Sequence, residues 1–146
     1  MRKSLVAAAF LACGLVGRAQ EKPMAQMVIQ ASPEQIKRAA LAMFARSGYR
    51  VDASTGTMLR ISQPFTREET DAYNTAHWMN PPEGPCRHVQ VFALSPVDHS
   101  INVGMSSESA CGADGKWIYR RVENEKETQW MQTTLAHLKA HAEQTK

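Results

Sequence analysis

Cysteine is scarce in this chain: three residues in 146, at positions 13, 86 and 111. That excludes a multi-cysteine zinc module and a densely bridged mini-protein, and no C-x-x-C redox pair exists. The chain has no apolar run of the roughly 18–20 residues needed to cross a bilayer as a helix. It carries no glycine-rich phosphate loop and no G-x-S-x-G nucleophile elbow. Aromatic residues make up 7% of the chain, and charge of one sign is in short supply, with 17 basic against 14 acidic residues.

The basic surplus is concentrated at the front. Residues 1–20 read MRKSLVAAAFLACGLVGRAQ. Arg2 and Lys3 form a charged lead, Ser4 to Val16 a short apolar stretch, and Gly17-Arg18-Ala19 places small residues where a signal peptidase reads them. The pattern predicts a signal peptide over 1–19, cleaved before Gln20, followed by one domain over 20–146. Cleavage removes Arg2, Lys3 and Arg18 and leaves fourteen basic and fourteen acidic residues, a formal net charge of zero. A nucleic-acid partner needs a basic face to meet the phosphates, and none is evident. No integral membrane segment is expected after signal removal. Phe10-Leu11-Ala12-Cys13 loosely matches a lipoprotein box, which makes lipid anchoring at Cys13 the minor alternative. The expected location is periplasmic or secreted.

What remains after the lead is strongly patterned. Gln26 to Gln30 reads as a strand. Ser32-Pro33-Glu34-Gln35 is a helix start with a capping box, Ile36, Ala40, Met43 and Phe44 follow at helical spacing, and Gly48 supplies a stop, so a helix is expected over 33–47. Strands over 49–52 and 58–62 flank the turn-forming Ser54-Thr55-Gly56-Thr57. Thr66-Arg67-Glu68-Glu69 repeats the capping-box pattern and opens a short helix reaching about Met79, followed by the loop Asn80 to Pro85. Residues 117–120 read as a further strand. A last helix, over 125–142, is capped by Asn124 and carries Met131, Leu135, Leu138 and Ala142 as its apolar stripe.

The stretch from Cys86 to Cys111 makes the sharpest geometric claim. Pairing Cys86 with Cys111 centres an antiparallel hairpin between Asp98 and His99, inside Ser95 to Ser100, the only turn-like segment of the stretch. In that register Cys86 stands opposite Cys111, Phe92 opposite Met105 and Leu94 opposite Val103, all on one face. Counting outward from a two-residue turn makes 86/111 a non-hydrogen-bonded pair, close enough for a disulfide. An oxidising compartment favours that bond.

Together these elements predict an α+β fold: an antiparallel sheet of about five to six strands with the two long helices, 33–47 and 125–142, packed on one face.

The residues that could carry chemistry are few. His137 and His141 share a helix face, but no further ligand completes a zinc pattern, so no metal and no cofactor is expected. Ser106 to Ser109 reads as a polar strand end. The connection 66–85 holds Tyr73, His77 and Trp78, of which Trp78 is expected to pack the connection onto the sheet; all three are candidates for contacting a partner. The leading reading is an exported, non-catalytic binding or adaptor protein whose partner is an envelope protein or a cell-wall component. The alternatives are an inhibitor or immunity protein that inserts the 80–85 loop into an envelope-acting enzyme, and a small hydrolase built on His77 and a nearby carboxylate.

Overall fold

The computed structural model describes residues 22–82 and 84–144. The segment expected to be a signal peptide, with its expected cleavage site and Cys13, lies outside the described residues, as does Glu83 of the proline-rich loop.

The elements run β1 (Ala25–Ile29), α1 (Pro33–Ala45), β2 (Arg50–Ser54), β3 (Met58–Pro64), α2 (Arg67–Ala76), β4 (Cys86–Val97), β5 (Ser100–Ala113), β6 (Lys116–Arg121) and α3 (Glu125–Gln144). The six strands form one antiparallel sheet in the order β1-β5-β4-β3-β2. β5 is long enough to hold two partners along one edge: β1 pairs with its first half, Ile101 to Met105, and β6 with its second, Glu108 to Ala113. The fold class is α+β, as the patterning predicts, with α2 as a third helix.

Strand alternation sorts the sheet into two faces. On the first, Leu59, Phe92, Met105 and Ala25 stand side by side across β3, β4, β5 and β1, and Leu94, Val103 and Met27 form the next row. The long helices seal this face. α1 contributes Ile36, Ala40 and Phe44, and α3 contributes Met131, Leu135, Leu138 and Ala142. Phe44 meets Phe92, Tyr49 and Trp130 edge-on, at ring-centre distances of 5.9, 5.0 and 6.3 Å, so one aromatic side chain ties α1 to the sheet and to α3. Burial pushes the Tyr49 hydroxyl above its ordinary pKa.

α1 starts where expected. Ser32 Oγ accepts from the Gln35 amide and Gln35 returns a bond to the Ser32 amide. The helix ends at Ala45, two residues earlier than the spacing suggests, with Gly48 taking the left-handed conformation (φ +80°) that reverses the chain. α3 runs two residues further than expected, to Gln144.

The second face is built differently. Val89 and Ala110 are fully buried there yet stand outside the main apolar cluster. Their neighbours on that face are long side chains. The Arg60 guanidinium lies over the Tyr119 ring at 5.2 Å and that of Arg87 over Trp117 at 4.0 Å. Arg87 also reaches Ser62 Oγ (3.3 Å), whose hydroxyl donates to Asp52 (2.8 Å). The segment leading into β1 crosses the same face. Pro23 sits where a side chain at Gly104 would be, and Arg121 donates to the Lys22 carbonyl.

The β4–β5 register matches the expected one along its whole length. Val97 pairs with Ser100, Leu94 with Val103, Phe92 with Met105 and Cys86 with Cys111, without a bulge. The cysteines are disulfide-bonded, their Cα atoms 4.1 Å apart, the close spacing of a non-hydrogen-bonded pair. Asp98 adopts a positive φ of 52° at the turn, a conformation aspartate tolerates. The irregularity lies instead in β2, where the pairing slips at Asp52, between Val51 and Ala53.

Candidate functional site

The 66–85 connection folds into α2 and a short return to the sheet. Its helix is well started: Thr66 and Glu69 form a complete capping box. Yet α2 buries none of its side chains fully. It is held by a chain of rings and one polar bond. Phe65 packs against His88 of β4 (4.3 Å between ring centres) and meets Tyr73 edge-on (5.7 Å). Tyr73 in turn stacks on His77 at 4.1 Å. His88 Nε2 and Glu69 Oε1 stand 3.0 Å apart and join β4 to the first turn of the helix. The Thr66 backbone amide, more than the neighbouring His88, holds the Glu69 carboxyl below its ordinary pKa.

The three aromatic residues singled out from the sequence therefore divide. Tyr73 and His77 face inward, and the His77 Nδ1–H donates to the Tyr73 carbonyl at 2.9 Å. Trp78 does not pack the connection onto the sheet, contrary to expectation: it is 75% exposed. The reason is local. α2 ends at Ala76, and His77 already leaves helical geometry (φ −116°, ψ 32°), so Trp78 is turned away from the face that Tyr73 and His77 share. Met79 beside it is 81% exposed.

A narrow cleft of about 40 Å³ separates this turn from the β6 side of the sheet, lined by Tyr73, His77, Asn80, Pro82, Cys111, Ile118 and Arg120. Such a volume admits a water molecule and falls far below the roughly 300–1,000 Å³ of a small-molecule site. None of the described residues that line it is a carboxylate, and Glu69 of the capping box is engaged with His88 rather than His77. Ile118, on the cleft's outer wall, is 66% exposed. Trp78 and Met79 fall in the chain between two cleft residues, His77 and Asn80. Exposed large apolar side chains thus occur in the lining of a cleft too small for a substrate (Ile118) and in the chain segment between two of its lining residues (Trp78 and Met79). Ile118 was legible in the sequence only as part of a strand; its exposure follows from β6 lying at a sheet edge.

The remaining candidates lie apart from this turn. His137 and His141 are exposed on α3, and among the described residues no group of three or more His, Cys, Asp or Glu side chains converges on a metal-sized site. Ser106 to Ser109 is not a strand end, since β5 continues to Ala113; Ser107 is buried and accepts from Gln90 Nε2 at 3.0 Å. Among the described residues no helix is long and apolar enough to cross a membrane. The Cys86–Cys111 bond is compatible with an oxidising compartment.

A scan against protein-family models finds no match for the chain, and a search of curated proteins finds no significant relative.

Proposed function

We propose that this protein is an exported, non-catalytic binding or adaptor module that docks an envelope partner through the turn after α2. The observation that carries the reading is the exposure of Trp78 and Met79, which lie in the chain between the cleft residues His77 and Asn80, together with that of Ile118 in the cleft lining. Tryptophan and methionine are favoured at the buried centres of interfaces, where one or two anchors supply most of the binding energy. The cleft beneath them is rigidly backed by the Cys86–Cys111 bond, and a preorganised surface loses less entropy on binding. A hydrolase built on His77 has less support, because the cleft is small and none of the described residues lining it is a carboxylate. An inserting loop over 80–85 has less support too: Asn80 and Pro82 lean into the cleft, and the Pro85 carbonyl accepts from the Gly112 amide.

The test is a photo-crosslinking amino acid placed at position 78 in cells, with Gln132 on the exposed face of α3 as the comparison site. A discrete adduct from position 78 alone is expected. No adduct, or the same adducts from both positions, sinks the assignment. The export half of the reading is checked by intact mass: a chain beginning at Gln20 that takes up two alkyl groups only after reduction is expected, and a lipid-sized increment at Cys13 overturns the free-protein form.

A further inference from the structure

A second concave surface lies on the outer flank of α1. Gln35, Arg38, Ala39, Ala42, Met43 and Arg46 line it, together with His141 of α3, and it encloses about 460 Å³. Six of these residues fall at the spacing of a single helix face, so the groove runs along the axis of α1. Its floor is Ala39, Ala42 and Met43; Met43 and Ala39 rest on the core beneath, so the floor is fixed. A guanidinium stands towards each end. Eight residues of helix separate Arg38 from Arg46, about 12 Å along the axis. Neither arginine forms an ion pair or hydrogen bond among the described residues, in contrast to Lys37 on the next face, which is paired with Glu34 and bonded to the Thr55 carbonyl. None of the described residues lining the groove is a carboxylate.

We propose that this groove docks an amphipathic helix of a partner protein, one that carries two carboxylates about two turns apart with apolar residues between them on the same face. The charge pattern selects the occupant. Two unpaired cations separated along a helix match acids at i and i+7 or i+8 of a second helix lying alongside. The small side chains at Ala39 and Ala42 let that helix approach closely, and Met43 adds apolar contact between them and Arg46. A ligand with one anionic head group uses one arginine and leaves the other without a role. This surface belongs to α1 and shares no residue with the turn after α2, so it gives the chain a second point of attachment.

The experiment uses the mature, disulfide-bonded chain and a fluorescent, alanine-based helical peptide with two glutamates two turns apart and leucines between them on that face. Saturable one-to-one binding is expected, weakened about tenfold or more in the Arg38→Glu/Arg46→Glu variant. That variant should regain affinity for a peptide whose glutamates are replaced by lysine, which a misfolded protein cannot do. Lys126→Glu, the charge reversal of one such site placed on α3, should leave binding as it was, whereas Arg38→Glu alone should weaken it. Equal affinity for a glutamine version of the peptide overturns the proposal, as does the absence of saturable binding. Arginine-dependent binding of dodecanoate without binding of the peptide also overturns it, because the groove then takes a small anionic amphiphile.

Discussion

α2 and α3 both lie against the sheet and both begin with a side chain that caps the first turn, but they are attached by different means. α3 places Met131, Leu135 and Leu138 under the sheet with no exposed surface, and its Asn124 cap accepts from the Glu127 amide. α2 has the more complete capping box and buries nothing fully; a stack of partly exposed rings and one histidine–glutamate contact hold it. A cap is a local device worth about 1 kcal/mol, whereas a fully buried leucine contributes about 1.5–3 kcal/mol. Good helix signals therefore place a helix without fixing how firmly it is docked. Elements secured by few buried contacts open at lower free energy than the core, and binding surfaces are commonly drawn from that end. The exposed Trp78–Met79 turn follows the weakly docked helix.

The contrast can be broken at its strong end. Leu138→Ala should lower global stability by about 2–5 kcal/mol, because the neighbours of a fully buried leucine collapse only partly into the space left; denaturant unfolding with an unchanged slope checks this. Replacing Cys86 and Cys111 together by serine should cost about 2–4 kcal/mol, chiefly by freeing the unfolded chain, and should leave the β4–β5 register intact in backbone amide chemical shifts. Thr66→Ala should cost about 1 kcal/mol and act on α2 alone: hydrogen exchange should speed up over residues 67–76 and stay unchanged over 131–142. A global loss equal to that of Leu138→Ala would show that α2 belongs to the cooperative core and would remove the contrast. Acid should produce the same local pattern. The folded-state pKa of Glu69 is depressed, so its contribution is fully present above the ordinary glutamate value of 4.5 and is lost as pH falls through the lower folded value. Protection of the α2 amides, taken relative to the intrinsic exchange rate at each pH, should therefore fall below that range before that of α3 does. The smallest effect belongs to Trp78→Ala, within about 0.5 kcal/mol in stability, since little of that ring is buried; its consequence should appear in partner capture alone.

Much of this architecture is written in short-range pattern. The β4–β5 register was legible because period-two alternation, a single turn segment and two cysteines all imply the same pairing, and no bulge intervenes. α1 and α3 were legible because a capping residue precedes an apolar stripe in each. Three features were not legible. The slip at Asp52 leaves no mark in a strand of five residues. The cover over Val89 depends on Arg60, Arg87, Trp117 and Tyr119, which meet across strands far apart in sequence and look like ordinary surface residues one by one. Trp78 was misplaced because a large aromatic is usually buried, whereas helix phase ends one residue before its neighbour His77 and turns it outward. The candidate site was thus visible as a segment, while the direction of its side chains depends on where α2 stops.

The disulfide has a mechanical consequence. It closes the open end of the β4–β5 hairpin, opposite the Asp98–His99 turn, and so makes a covalent ring of the sheet's two central strands. A force applied to the chain ends passes through the sulfur bridge and never loads the segment inside it. Stretched to full length, the oxidised protein should come up short of the reduced one by roughly 80–90 Å, the contour of the enclosed residues. The outer strands and helices can then be pulled away in turn while the centre of the sheet keeps its register as the template for their return.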